Sequence, residues 1–234
     1  MNGEFKSRLV EKIARTSEDT SFRYERPEGL FYQAGQYFHV NFAGGDGMMR
    51  KHFSFSSSPT EPFVEMTTKM TGSPFKTALD ALPIGQEVTL EAPYGEFTFR
   101  EGVSKYAFLS GGIGITPIRS MAKYATDEEL DLDLVLLYGN RRIERIPFKD
   151  DLDRLSERNP RFRVFHVLGE PPPGWDGYTG LVRGEIVTSE VGKDSDFLFY
   201  ICGPPGMVAA MRKVLSEEME VAADRIVVED FTGY

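Results

Sequence analysis

The apolar pattern of this chain changes its period once, near residue 100. Before that point apolar and polar side chains alternate in short runs: Glu4 to Arg15, Thr20 to Tyr24, Tyr37 to Phe42, Phe63 to Met70 and Glu87 to Leu90. A period of two is that of a half-buried strand. Turn signals separate the runs, among them Arg26-Pro-Glu-Gly29, Ala34-Gly-Gln36, Gly44-Gly-Asp-Gly47 and Ser58-Pro-Thr60. Such spacing predicts an antiparallel barrel or sandwich. One helix interrupts it, with Ser73 as its cap, Pro74 in its first position and Phe75, Ala78, Leu79 and Leu82 as its apolar face.

After residue 100 strands and helices take turns. Tyr106 to Leu109, Leu132 to Tyr138, Phe162 to Leu168, Phe197 to Cys202 and Ile226 to Glu229 read as strands. Phe148 to Glu157 and the segment from Gly206 to Glu220 read as helices. This order predicts a parallel sheet with helices on both faces. The boundary falls near Glu101 to Lys105, giving a first domain over 1–101 and a second over 102–234. No stretch approaches the run of about 20 apolar residues that spans a bilayer, and the first fifteen residues lack the apolar core of a secretory signal.

Two glycine-rich turns follow strands of the second half: Gly111-Gly-Ile-Gly114-Ile-Thr-Pro117 and Cys202-Gly-Pro-Pro-Gly-Met207. Backbone N–H groups at such a strand-to-helix turn suit an anion. In open α/β sheets ligands sit at the carboxyl ends of the strands. Either turn also reads as punctuation, and Cys202 as a buried small hydrophobe. A third segment, Lys51-His-Phe-Ser54-Phe-Ser-Ser-Ser-Pro59, offers a cation, rings and hydroxyls, or is simply a strand ending in a serine-rich turn. Cys202 is the one cysteine, so a disulfide, a Cys-ligated zinc site or an iron–sulfur cluster within the chain is excluded. A reducing, cytoplasmic setting fits. The 27 Lys and Arg against 36 Asp and Glu leave a net charge of −9, which opposes nonspecific binding to nucleic acid or anionic lipid. His39, His52 and His166 are too dispersed to read as a metal set.

In their order along the chain, these motifs resemble the ferredoxin–NADP reductase superfamily. That family carries Arg-x-Tyr/Phe-Ser, a Gly-Ser-type helix start, Gly-Gly-x-Gly-Ile-Thr-Pro and Cys-Gly-Pro-Pro-x-Met. Here they read Lys51-His-Phe-Ser54, Gly72-Ser-Pro-Phe75, Gly111 to Pro117 and Cys202 to Met207. Thr16 to Arg23, Ala34 to Tyr37, Tyr138-Gly-Asn-Arg141 and Glu229-Asp-Phe231 extend the likeness over almost the whole length.

The resemblance implies an antiparallel β-barrel that binds FAD, followed by a parallel-sheet α/β domain that binds NADPH or NADH. Hydride passes from nicotinamide to flavin N5, and the electrons go on to a separate acceptor. A ferredoxin, a flavodoxin, an oxygenase component or a small molecule is such an acceptor. The alternative is a flavin reductase that takes free flavin as substrate. A non-catalytic electron-transfer subunit is disfavoured, because those relatives carry a C-terminal cysteine cluster.

On the flavin side, the likeness places Lys51, His52, Phe53 and Ser54 against FAD, between the domains. Ser54 faces N5 and Phe53 packs on the ring system. Thr68 and Lys69 line the ring edge, and Gly72 and Ser73 meet the pyrophosphate. On the nucleotide side, Gly112, Gly114 and Thr116 cradle the donor, with Gly203, Pro204 and Met207 from the second turn. Cys202 is implied beside the nicotinamide in a positioning role. Ser54, Cys202 and Glu229 are the candidate catalytic residues, though Glu229 also reads as a solvated carboxylate. Phe231 stacks on the flavin face or Tyr234 covers the adenine.

Two features depart from the pattern or leave it open. Lys51 stands where the family has Arg, so it supplies charge without the bidentate fork, and a weaker flavin grip is expected. For the donor, Arg141 and Arg142 favour a 2′-phosphate, whereas Glu170 opposes one.

Overall fold

A computed structural model describes residues 2–44, 47–193 and 196–230. The chain divides into two compact units, Met1–Phe99 with Thr116–Tyr124, and Arg100–Ile115 with Ala125–Tyr234. A stretch of one helix thus groups with the first unit, although it follows the second unit's first strand in sequence.

The first unit is a curled six-stranded antiparallel sheet, a half-barrel. Its strands are β1 (Gly3–Ala14), β2 (Asp19–Glu25), β3 (Tyr37–Gly44), β4 (Gly47–Ser54), β5 (Phe63–Lys69) and β6 (Glu87–Tyr94), in the order β4-β3-β6-β1-β2-β5. The alternation seen in the sequence sorts the two faces. Phe22, Phe38, Val40, Phe53, Val64, Met66 and Leu90 are at most 2% exposed and form the core. Helix α1 (Pro74–Ala81) begins at Ser73 with Pro at its start and buries Leu79, as its pattern predicts.

The second unit is a six-stranded sheet in which every pair is parallel. Its strands are β7 (Lys105–Gly111), β8 (Asp133–Asn140), β9 (Phe162–Leu168), β10 (Tyr178–Thr179), β11 (Leu198–Gly203) and β12 (Ile226–Asp230), in the order β10-β9-β8-β7-β11-β12. Helices α2 (Ile115–Asp127), α3 (Lys149–Arg158), α4 (Gly184–Glu190) and α5 (Pro205–Lys213) connect them. The order runs outward from β7 in one direction and resumes at β11 on its other side. The switch point of the sheet therefore lies between β7 and β11, the place where open α/β sheets bind ligands.

Two elements escape the sequence pattern. β10 is two residues long, too short to carry a period. α4 spans seven residues, starts on a glycine and contains Val187 and Thr188, all weak helix signals. Trp175 anchors its loop by donating from Nε1 to the Tyr178 carbonyl at 3.1 Å.

Candidate functional site

The switch point is built by close backbone approach. Beside Gly111, Met207 Sδ and Pro204 Cδ lie 2.5 and 3.3 Å from where a Cβ would stand. A Cβ on Gly114 would lie 2.4 Å from the Cys202 carbonyl oxygen and 2.6 Å from Gly203 Cα. Both glycine-rich turns, far apart in sequence, are thus pressed together within one unit. Gly112 to Gly114 form a single 3₁₀ turn that leads into α2, which puts Thr116 in the helix's first turn at 3% exposure.

Parallel pairing then aligns a row of polar side chains across the strand ends. His166, Tyr138, Ser110, Cys202 and Glu229 are consecutive register partners on β9, β8, β7, β11 and β12. In-register neighbours share a face of the sheet. Tyr138 donates from its hydroxyl to the Gly112 carbonyl at 2.7 Å, which pins the 3₁₀ turn. Ser110 Oγ, Glu229 Oε2 and Asn140 Nδ2 are buried without a hydrogen-bond partner among the described residues. Orphaned polar atoms cost about 1–3 kcal/mol each, so a polar ligand at this edge is their natural complement. Burial pushes the Glu229 carboxyl up to about 7. Cys202 is fully buried. Ser110, Tyr138 and Asn140 were not singled out from the sequence as site residues. For Ser110 the only signal is its position closing an apolar strand, whereas Tyr138 and Asn140 lie in the Tyr138-Gly-Asn-Arg141 segment that carries part of the family likeness.

At the next strand ends, Arg141 and Arg142 both donate to Glu170, at 2.7 and 2.5 Å. The two arginines hold Glu170 below the usual carboxylate range. The conflicting cues of the sequence are therefore one ion-paired cluster.

In the first unit, β4 ends on Ser54. Lys51 and Phe53 share one face of the strand, and His52 lies on the other with Tyr37 and His39, whose ring centroids are 5.5 and 5.8 Å away. Burial, then Lys51 and Arg50, lower the His52 pKa and so favour the neutral ring. The Phe53 ring is 2% exposed and sits 5.8 Å from that of Phe75 in α1. Ser54 is 3% exposed, and its Oγ has no partner among the described residues. The same holds for Thr68 Oγ1 on β5 and for Ser73 Oγ at the start of α1. Gly72 precedes Ser73 at φ +69°, a left-handed turn that glycine adopts freely. Lys69 pairs with Glu18 at 2.7 Å. Three unpartnered hydroxyls and an uncapped helix start fit a polar, phosphorylated cofactor.

The chain after Ser54 is held with unusual redundancy. Phe55 N donates to Gln36 O at 2.9 Å, and Ser56 Oγ donates to the buried Glu65 at 2.9 Å. Glu65 also accepts from Arg15 and Arg23, at 2.8 and 2.7 Å. Tyr32 and Ser120 donate to the Ser57 carbonyl at 3.2 and 2.6 Å. Arg119 donates to the Ser56 carbonyl at 2.9 Å and pairs with Glu61. These contacts over-determine where Ser54 lies, and none was legible from the motif. Phe231 and Tyr234 lie outside the described residues.

Residues 7–99 match the oxidoreductase FAD-binding domain and residues 108–213 the oxidoreductase NAD-binding domain. The chain is 31% identical over 214 residues to NADH-cytochrome b5 reductase 1 of Dictyostelium discoideum, covering 88% of this chain and 75% of that protein. It belongs to the ferredoxin–NADP reductase superfamily. Members share the fold closely at low identity. The FAD/NAD-binding domain of nitric oxide dioxygenase from Vibrio cholerae superposes with a TM-score of 0.86 at 21% identity, over 97% of this chain and 98% of that one. The ferredoxin NADP+ reductase of Neisseria gonorrhoeae gives 0.82 at 21% identity, over 97% and 98%. As a superfamily member, the protein is an NAD(P)H-dependent flavoprotein oxidoreductase with FAD and NADH or NADPH as cofactors. The orphaned hydroxyls at Ser54, Thr68 and Ser73 fit the FAD, and the polar row on the parallel sheet fits the nucleotide.

Proposed function

We propose that this protein is an FAD-containing reductase that oxidises NADH and passes the electrons to a separate acceptor protein. The observation that carries the reading is the register of Ser110 with Cys202 at the switch point, with Gly114 against the Cys202 backbone. The two cofactors supply hydride transfer from nicotinamide to flavin, and the chain supplies binding, orientation and charge. Ser54 orients the flavin through its unpartnered hydroxyl. Lys51, Gly72 and Ser73 bind its pyrophosphate, and Thr68 and Lys69 line its edge. Gly112, Gly114 and Thr116 seat the donor, with Gly203, Pro204 and Met207 closing the same loop. Cys202 packs beside the nicotinamide and excludes water there. The single cysteine leaves no iron–sulfur centre of the chain's own to receive electrons, and it suits a cytoplasmic setting. Relatives named for cytochrome b5 support an acceptor that is itself a protein.

NADH is favoured because Glu170 occupies the donor faces of Arg141 and Arg142 that a 2′-phosphate would need. Charge-assisted hydrogen bonds to a phosphate are worth about 1.5–3 kcal/mol when formed, less at an exposed site. Glu170→Ser is therefore expected to raise kcat/KM for NADPH roughly tenfold, with NADH little changed. Steady-state rates with both donors check this, and an unchanged ratio would remove Glu170 from donor choice.

Glu229 sets a pH dependence. Its carboxyl, pushed up to about 7, ionises across neutrality. Only the ionised form stabilises the positive charge that develops on the donor ring. Flavin bleaching by NADH is thus expected to accelerate as pH rises through 7, and Glu229→Gln to flatten that profile. A stopped-flow series from pH 5.5 to 8.5 reads it out.

The first test of the whole reading is the visible spectrum of the desalted protein. Absorption near about 450 nm that NADH bleaches without oxygen is expected. A colourless protein that turns over added flavin would instead make it a flavin reductase, as the Lys51 substitution would allow.

A further inference from the structure

We propose that Lys76 is a second pyrophosphate ligand of the first unit, sharing with Lys51 the charge neutralisation of bound FAD, and that FAD binds together with a proton. The inference rests on the reading of this unit as the flavin-binding one.

Lys76 is the third residue of α1 and is fully buried. Its Nζ donates to the Lys69 carbonyl at 2.7 Å. Helical side chains lean toward the helix N-terminus, so this ammonium lies on the side of the first turn of α1. A cation there meets the positive end of the helix dipole. It is also removed from water, and the charges of Lys51 on β4 and Lys69 on β5 oppose its own, although Lys69 is itself paired with Glu18 at 2.7 Å. Asp19 of β2 is the acid that acts in the opposite sense. The net result is an ammonium pushed down to about 8, by burial first and then by Lys51.

The surroundings ask for the same ligand. Ser73 caps α1 with no side-chain hydrogen bond, and the first turn holds no acidic residue. Ser73 Oγ is buried without a partner among the described residues. A buried hydroxyl without a partner among the described residues and a buried ammonium thus meet at the start of α1. A dianionic pyrophosphate relieves every one of these terms at once. Lys51 and Lys76 act as point charges, in contrast to one forked guanidinium.

Binding such an anion returns Lys76 toward its ordinary range, so a proton enters with the cofactor wherever the free amine is partly deprotonated. At pH 8.5 uptake of roughly 0.5–1 proton per FAD is expected, falling toward none at pH 6.5. Calorimetric titration of the deflavinated full chain with FAD, in two buffers of different ionisation enthalpy, measures it directly. Riboflavin, which has no phosphate, should bind without uptake. Lys76→Met should lose the uptake and roughly ten- to a hundredfold in FAD affinity. Lys76→Arg carries a charge that does not titrate in this range, so affinity should be kept at pH 7 and the uptake lost. FAD binding to the wild type at pH 8.5 without proton uptake would overturn the proposal while leaving the flavin reading intact. So would equal uptake with riboflavin or in Lys76→Met. A wild type that bound no FAD would overturn both.

Discussion

Gly114→Ala is expected to slow reduction by NADH roughly 100-fold while the protein keeps its FAD. The added Cβ would stand 2.4 Å from the Cys202 carbonyl oxygen and 2.6 Å from the carbonyl carbon behind it. Both are backbone atoms of a central parallel strand, so no rotamer change relieves the clash. Either the turn or the end of β11 must move by about 1 Å, and a displacement of that size at a reacting centre costs roughly 100-fold in rate. The first unit, with its own core, carries the flavin motif and is untouched. The check is a pair of measurements on one sample: flavin absorbance after desalting, and the stopped-flow rate of bleaching by NADH. Bleaching at the wild-type rate would mean that this turn does not hold the donor.

The second large effect is on stability. Arg119 is 3% exposed and Glu61 is 9% exposed, and they form a two-pronged pair. Glu61 also accepts from the Ser58 N–H at 2.7 Å, and Arg119 also donates to the Ser56 carbonyl. Arg119→Met would leave a buried carboxylate without two of its donors, and breaking such a pair costs about 3–5 kcal/mol. For a chain of this size that lowers Tm by roughly 6–20 °C. The double variant Arg119→Met with Glu61→Leu removes the stranded charge as well and should recover most of the loss. Thermal unfolding of the three variants forms the cycle. Additive losses would show that the pair contributes nothing as a pair. The Ser56 to Ser58 segment is what these residues hold, so the single variant should also weaken flavin retention.

Much of the fold was legible because period and punctuation are local. Alternation over Tyr37 to Phe42 and over Phe63 to Met70 specified strands whose two faces meet different surroundings, and those strands formed. The glycine-rich turns announced themselves by composition. α4 and β10 did not, since seven residues with β-branched members and two residues alone hold no readable period. A linear reading gives a single domain boundary near residue 101, because it cannot assign part of α2 to the earlier unit.

The site divides in the same way. Lys51 to Ser54, Gly111 to Pro117 and Cys202 to Met207 were visible as motifs because each is contiguous. Ser110 has no motif of its own, and the Tyr138-Gly-Asn-Arg141 segment does not by itself mark Tyr138 and Asn140 as site residues. They become a polar row only when parallel strands pair in register. Arg141 and Glu170 gave opposite signals for the donor, 29 residues apart, and the structure joins them into one ion pair. Nothing in the local sequence marks Lys76 as buried, since its burial depends on what α1 covers.

The sequence by itself therefore determined the two architectures, the order of the cofactor motifs and the absence of a cysteine-held metal centre, for these follow from local periodicity and from residue identity. Tertiary structure alone decided which polar groups are left without partners, which charges are paired and which cation is buried. Those properties belong to contacts between residues distant in sequence, and burial is what turns them into chemistry, by making an unpaired hydroxyl or a crowded ammonium costly until a ligand arrives.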